Sequence, residues 1–351
     1  MSFHTPHPLQ PFWNIAAAPM QAQALEQAIA HDLFMRLRQP LTADALAGQL
    51  GLDPAAAAVW LDLLWSMELL ERLRPAAAAT PGAASVPAYV TSAMARRFFS
   101  DASSENCAQA WRYRSRFLAR FASQWASLLR DGLQEQAAPA QPDQAGASWA
   151  QAAREQIGQE QLAVTVPAVQ RLLHALPVLP PSGHLLDFGG GPGHVGIALA
   201  QHLPGWQGTV CDQPGTAEVA RENIAQAGLG DRMTALGCDL DTDAIGSAYG
   251  LIWCSAVLHF LRDPQQAVCK MFGALAPGGW LVLAHAELPD DAQAAAQVLP
   301  FYGTVMLRGN RLPQAGDIPH WLAQAGCTDI HTLGRTDFPM APVWLHLGRK
   351  A

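Results

Sequence analysis

The chain has 351 residues, 50% of them hydrophobic and only 15% charged, which excludes disorder along most of its length and calls for two or three cored domains. Its formal net charge is −7, and Lys270 and Lys350 are its only lysines, so no lysine-rich surface is on offer to nucleic acid or anionic lipid.

The opening stretch, MSFHTPHPLQPFWNI, lacks the basic and apolar regions of a secretory leader. Met20 to Leu37 then predicts one helix, with Leu25, Ile29, Leu33 and Leu37 one turn apart and Pro40 as its stop. A short helix follows, with Thr42 as N-cap and Gly51 as terminator. Asp53-Pro54 caps and opens a second helix whose Val59, Leu63, Leu64, Met67 and Leu70 are expected to face inward. Pro75 to Pro87 reads as a loop between strand-like ends, and Tyr89-Val90-Thr91 as a returning strand, so the whole predicts a winged helix-turn-helix. Such a fold suggests a DNA-binding regulator. The would-be recognition helix, Asp53 to Glu71, argues against it, because it carries Asp53, Asp62, Glu68 and Glu71 and neither Lys nor Arg.

Cys107 to Leu133 reads as a further helical block, Gln134–Ser148 as a polar linker, and Trp149 to Leu176 as a helical pair. From His184 onward short apolar strands alternate with helices, the pattern of a parallel sheet. The strands are expected at His184–Phe188, Gln207–Cys211, Met233–Leu236, Gly250–Cys254, Trp280–His285, Asp329–Leu333 and Val343–Leu347. No apolar run reaches the roughly 18 residues of a membrane span. The cysteines, without C-x-x-C spacing and mostly in apolar surroundings, predict reduced thiols in a cytoplasmic protein.

The chemistry concentrates in Leu185-Leu186-Asp187-Phe188-Gly189-Gly190-Gly191-Pro192-Gly193-His194-Val195-Gly196, at a strand end that opens a helix. Gly191, Gly193 and Gly196 fit a dinucleotide fingerprint, with Asp212 about 20 residues on. Three carboxylates at successive strand ends favour a different ligand. Asp187 can organise the loop beside an ammonium group, Asp212 can accept from both ribose hydroxyls, and Asp239 can accept from an adenine amino group. That set suits cationic S-adenosylmethionine and would repel a pyrophosphate.

Together with Val210-Cys211-Asp212-Gln213-Pro214, Gly237-Cys238-Asp239-Leu240, Ala256-Val257-Leu258-His259 and Ala274–Leu283, this motif resembles the small-molecule O-methyltransferases. The resemblance covers nearly the whole chain from Phe12. It implies a winged-helix-like dimerisation domain at 1–133, a linker and connecting helices at 134–180, and a class I methyltransferase domain at 181–351. The implied fold is α/β, with a Rossmann-like sheet that is parallel apart from an antiparallel last strand. The implied activity transfers the methyl group of S-adenosylmethionine to a small aromatic or heteroaromatic acceptor in bacterial secondary metabolism. S-adenosylhomocysteine is then the product, no metal is needed, and a homodimer forms through the N-terminal domain.

The resemblance extends the cofactor site to Gly189, Gly190, Gly191, Gln213, Leu240 and Cys254. It makes His259 the general base, since imidazole is the side chain suited to proton transfer near neutral pH. Two glutamates normally hold that histidine. Counting back from Pro289, the first position is His285, with Glu287 two residues on, and the second, near Arg311-Leu312-Pro313, holds no glutamate. Glu287 is therefore the expected substitute, the alternative being catalysis mainly by proximity. Phe260-Leu261-Arg262-Asp263-Pro264 stands where the family continues with Asp-Trp-Ser-Asp-Glu. Trp149, Phe260, Phe301, Tyr302 and Met306 are the candidate lining of the acceptor pocket. N-, S- or C-methylation, a metal held by His259, His285 and His320, and a fold relative performing decarboxylation or hydroxylation complete the alternatives.

Overall fold

The computed structural model describes residues 7–74, 86–132, 149–175, 179–336, 338 and 340–351. Most of the expected 75–87 loop and all of the expected 134–148 linker lie outside the described residues. The chain forms two compact units, Met1–Ser115 and Arg116–Ala351.

In the first unit the expected helix at 20–37 starts earlier and is interrupted. α1 runs Gln10–Ala30 and α2 runs Leu33–Arg36, parted at Asp32, whose φ of 51° is left-handed. Aspartate is one of the few residues that tolerate that region, so it can host the break. Leu25, Leu33 and Leu37 still line the core. β1 (Leu41–Thr42) leads into α3 (Ala43–Leu50), where Thr42 Oγ1 accepts from Ala45 N at 3.3 Å and Gly51 ends the helix at φ 65°. Asp53 Oδ1 accepts from Ala56 N at 2.8 Å to cap α4 (Pro54–Ser66). Val59, expected inward, is 70% exposed, while Leu61 and Leu64 take the buried stripe. β2 (Leu70–Leu73) and β3 (Ala88–Thr91) complete a three-stranded antiparallel sheet of order β1-β3-β2. α5 (Ala93–Phe98) follows, and α6 (Ala108–Ser123) carries the boundary between the units.

In the second unit α7 (Trp125–Asp131) and a helical stretch ending in α8 (Val166–Leu172) precede a seven-stranded sheet. The strands are β4 (Gly183–Phe188), β5 (Trp206–Asp212), β6 (Met233–Gly237), β7 (Tyr249–Ser255), β8 (Leu275–His285), β9 (Thr328–Thr336) and β10 (Val343–Arg349). Each covers the segment expected from the apolar pattern. Their order is β6-β5-β4-β7-β8-β10-β9, with β4 to β8 parallel and β10 antiparallel to both neighbours. α9 (His194–His202), α10 (Pro214–Gln226), α11 (Pro264–Ala274), α12 (Ala292–Met306) and α13 (Asp317–Ala325) supply the helical layers. One sheet face buries Leu186, Phe188, Ile252 and Met271, and the other buries Leu185, Val210, Trp253 and Val282. The order of the strands reverses beside β4, with β5 and β6 laid down on one side and β7 and β8 on the other, so the crevice beyond the carboxyl ends of β4, β5 and β7 is where such a sheet binds ligands.

Candidate active site

β4 brings Asp187 to that crevice, followed by the glycine turn and α9. Two glycines are required there by space. Gly189 has φ 70°, and a Cβ on it would lie 2.5 Å from Val257 Cγ2. A Cβ on Gly190 would lie 2.6 Å from Asp187 Oδ2.

The turn closes on the protein itself. Gly189 N and Gly190 N donate to Cys211 O at 2.8 and 3.3 Å, and Gly193 N donates to Gly190 O at 3.0 Å. Gly191 N donates to Asp212 Oδ2 at 2.8 Å, Gly196 N to Asp187 Oδ2 at 2.8 Å, and His194 N to Gln161 Oε1 at 3.1 Å. A phosphate cradle needs such amides free. Here they are spent, which disfavours the dinucleotide reading.

The electrostatics point the same way. Burial pushes Asp187 up to about 7, opposed by the Gly196 amide and aided by the nearby Asp212 carboxylate. Burial also raises Asp212, against the amides of Gly191 and Gln213. A crevice with two such carboxylates gains from a cation. Each carboxylate oxygen has two lone pairs, so Asp212 can hold its amides and still accept from ribose hydroxyls. The residues present therefore fit S-adenosylmethionine.

Asp239 is exposed, and its Oδ1 accepts from Asp241 N at 2.9 Å, which holds its carboxyl below the usual range. Leu240 is buried beside it, with its carbonyl accepting from Lys270 Nζ at 3.0 Å. The backbone N–H of Gln213 donates to Asp212 Oδ1 at 2.7 Å as α10 begins. The Cys254 thiol is fully buried, 3.6 Å from His285 Nε2, and burial raises it far above its ordinary value.

One expectation is corrected here. Cys211 and Cys238, expected as free thiols, are joined as a disulfide. β5 and β6 are parallel neighbours with Asp212 opposite Gly237, so the two residues flank one rung of the ladder with Cα atoms 6.7 Å apart. The remaining cysteines, Cys107, Cys254, Cys269 and Cys327, are free.

Past β7 the backbone turns at Ala256, whose φ of 54° is rare for a residue with a Cβ, and a 3₁₀ turn carries His259. His259 is 4% exposed. Its ring stands 4.1 Å from Phe260 and 5.2 Å, edge-on, from Tyr302, and Trp149 meets Phe260 at 5.2 Å. Tyr302 and Met306, on α12, pack on the small cluster of Ala286, Val298 and Leu312. Phe301, on the same helix, is half-buried.

Glu287, expected beside His259, places Oε1 2.5 Å from His346 Nε2 on β10, and Thr332 Oγ1 lies 3.0 Å from His346 Nδ1. His346 carries no motif, and only strand pairing reveals it. His285 is fully buried, and burial, with His259 and His346 nearby, drives it well below its ordinary value. His320 is exposed on α13, and among the described residues no group of three His, Cys, Asp or Glu stands close enough to hold a metal.

Residues 186–281 match the methyltransferase domain family. Over 153 residues, 42% of this chain and 44% of the relative, the sequence is 30% identical to a 3-hydroxy-5-methyl-1-naphthoate 3-O-methyltransferase of Streptomyces sahachiroi. Human N-acetylserotonin methyltransferase, solved in complex with SAM, superposes with TM-score 0.75 at 18% identity over 100% of both chains. An O-methyltransferase family protein from Burkholderia thailandensis gives TM-score 0.73 at 20% identity over 99% of each chain. The chain spans less than half the length of the curated relatives it matches. The sheet unit is thus a class I methyltransferase fold. The curated relatives it matches over part of their length include O-methyltransferases and C-methyltransferases of small molecules.

Proposed function

We propose that the protein is an S-adenosylmethionine-dependent methyltransferase acting on a small aromatic or heteroaromatic acceptor, of the kind its naphthoate-methylating relative uses. The observation that carries this reading is the glycine turn, whose amides are satisfied internally beside two carboxylates that burial holds above their ordinary range. When bound, the cofactor supplies an electrophilic methyl group on a sulfonium. Asp187 faces its ammonium end, Asp212 accepts from the ribose hydroxyls, and Asp239 with Leu240 receives the adenine. Gly189, Gly190, Gly191 and Gln213 shape the crevice, and Cys254 supports its floor from the buried side.

His259 takes the proton of an acceptor hydroxyl, and its packing against Phe260 and Tyr302 fixes the plane of its ring. Trp149, Phe260, Phe301, Tyr302 and Met306 orient a flat acceptor and exclude water from it. Glu287 supports this side through His346, holding the loop after β8 rather than sharing a proton with His259.

The first unit is the dimerisation element. On α1, Phe12, Trp13, Ile15 and Met20 are each at least 67% exposed, an apolar face that a second copy of the chain would cover. No helix among the described residues is long and apolar enough to cross a membrane. Calorimetric titration with S-adenosylhomocysteine, with NAD as control, tests the reading. Binding of the first without the second is expected, and the reverse would overturn it.

A further inference from the structure

The helical stretch before the sheet contains two π-helical turns, Ala153–Ile157 and Gln161–Thr165, separated by one α-turn, Gly158–Glu160. A π-turn adds a residue to the helical circuit and re-aims the side chains on it, and such turns recur at functional sites. The second one opens on Gln161, whose carboxamide straddles the glycine turn. Its Nε2 donates to Gly190 O at 3.0 Å and its Oε1 accepts from His194 N at 3.1 Å. With the amide turned over, both bonds would be lost.

His194 is the first residue of α9, so its N–H is one of those a helix leaves without an internal partner. The N-cap, Gly193, has no side chain to satisfy it. Gln161 does so from another element. The two segments are in ordinary van der Waals contact: a Cβ on Gly191 would lie 3.5 Å from both Gln161 Nε2 and Ile157 Cγ2, and one on Gly158 would lie 3.6 Å from His194 Nε2. Between the two groups that Gln161 holds stands Gly191, whose amide donates to Asp212.

We propose that Gln161 is a positioning residue of the cofactor site, pinning Gly190 O and His194 N so that Gly191 keeps the Asp212 carboxylate in place. This rests on the reading of the crevice as an S-adenosylmethionine site. Only a neutral group offering donor and acceptor together can make both bonds. Leucine makes neither. An ionised glutamate can accept from His194 N but sets its charge against the Gly190 carbonyl, whereas protonated glutamic acid restores the donor. Partial burial and that facing carbonyl both raise the carboxyl above the ordinary glutamate value, towards the acid end of the test.

The test titrates S-adenosylhomocysteine into wild type, Gln161→Leu and Gln161→Glu at pH 7.5 and 5.5. Amide hydrogen exchange over 189–196 and melting of the unliganded proteins are measured beside it. Gln161→Leu should bind about tenfold more weakly than wild type, the loss expected from one to two hydrogen bonds. Exchange at His194 should be faster without ligand, and KM for the cofactor should rise while kcat at saturation stays within about twofold. Gln161→Glu should be as weak as Gln161→Leu at pH 7.5 and should approach wild type, measured at the same pH, at 5.5. That recovery separates positioning from a folding defect, which acid would not repair. Wild-type binding with an unimpaired Gln161→Leu, or a Gln161→Glu deficit that ignores pH, overturns the proposal alone. Wild type that binds no S-adenosylhomocysteine overturns the cofactor reading and this proposal with it.

Discussion

The Gly191 amide donates to Oδ2 of Asp212 across 2.8 Å, so the carboxylate that ends β5 also closes the turn that follows β4. On the proposed reading of the crevice, ligand binding and loop geometry share one side chain. Asp212→Ala should weaken S-adenosylhomocysteine binding by about 1.5–3 kcal/mol, as charge-assisted bonds to ribose and the hold on Gly191 are lost together. Asp212→Asn, which retains an acceptor for Gly191, should lose less. Equal losses in the two variants, measured by calorimetry, would separate Asp212 from the turn.

Asp187 gives a pH dependence with a definite sign. Its folded pKa of about 7 lies above that of a free carboxyl, so the unliganded protein holds a proton there that the unfolded chain releases at lower pH. Its contribution to stability is full below the unfolded value and is lost as pH rises through about 7. A cation binds the ionised form, so S-adenosylmethionine affinity should rise from pH 6 to 8, by up to about tenfold per unit below the folded value. Calorimetry in buffers of differing ionisation enthalpy should detect the released proton. Asp187→Asn, which can still accept from Gly196, should flatten the profile, and an unchanged profile would assign the titration elsewhere.

The disulfide between Cys211 and Cys238 closes a loop with a sequence separation of 27 residues. Chain-entropy arithmetic for such a loop gives about 3.5 kcal/mol of stabilisation as an upper figure. Reductant should lower the urea midpoint of wild type and leave a Cys211→Ala, Cys238→Ala double variant unmoved. Thiol titration of the denatured, unreduced protein should find the free cysteines Cys107, Cys254, Cys269 and Cys327 alone. Six reactive thiols would show the pair to be unjoined.

What the sequence showed and what it hid divide along a physical line. Features set by local chain chemistry were legible: Asp53-Pro54 opening α4, Gly51 ending α3, and the glycine motif between β4 and α9. The strands were legible too, because apolar runs between turns have few other outcomes. Asp32 breaking the first helix was not, since nothing in its neighbours demands a left-handed residue. The Cys211–Cys238 pairing depends on β5 and β6 being neighbours in a given register. Gln161 over the glycine turn and Glu287 against His346 join residues separated by 33 and 59 positions, which single-sequence periodicity does not see.

The apolar face of α1 predicts an oligomer. A Phe12→Ser, Trp13→Glu double variant should convert a dimer to a monomer in light scattering while leaving the sheet unit folded, because both side chains are 67% exposed within the chain. A wild-type monomer at micromolar concentration would refute the assignment.

His259 separates the chemistries. A hydroxyl acceptor with a pKa near 10 is little ionised at neutral pH, and a positioned base contributes about 10²–10⁴-fold. His259→Ala should lose that factor in kcat, with S-adenosylhomocysteine affinity nearly unchanged, because His259 lies after β7 and the carboxylates proposed to hold the cofactor end β4 and β5. A loss below about tenfold would mean an acceptor already nucleophilic, such as a thiolate or ring nitrogen, and catalysis mainly by positioning. His346→Gln supplies the control. It should disturb the partner of Glu287 and lower stability, because both groups are buried and one would be left without its counterpart, yet it should leave the pH profile of kcat in place. If His346→Gln shifts that profile as His259→Ala does, the proton path runs through Glu287 and His346 rather than ending at His259.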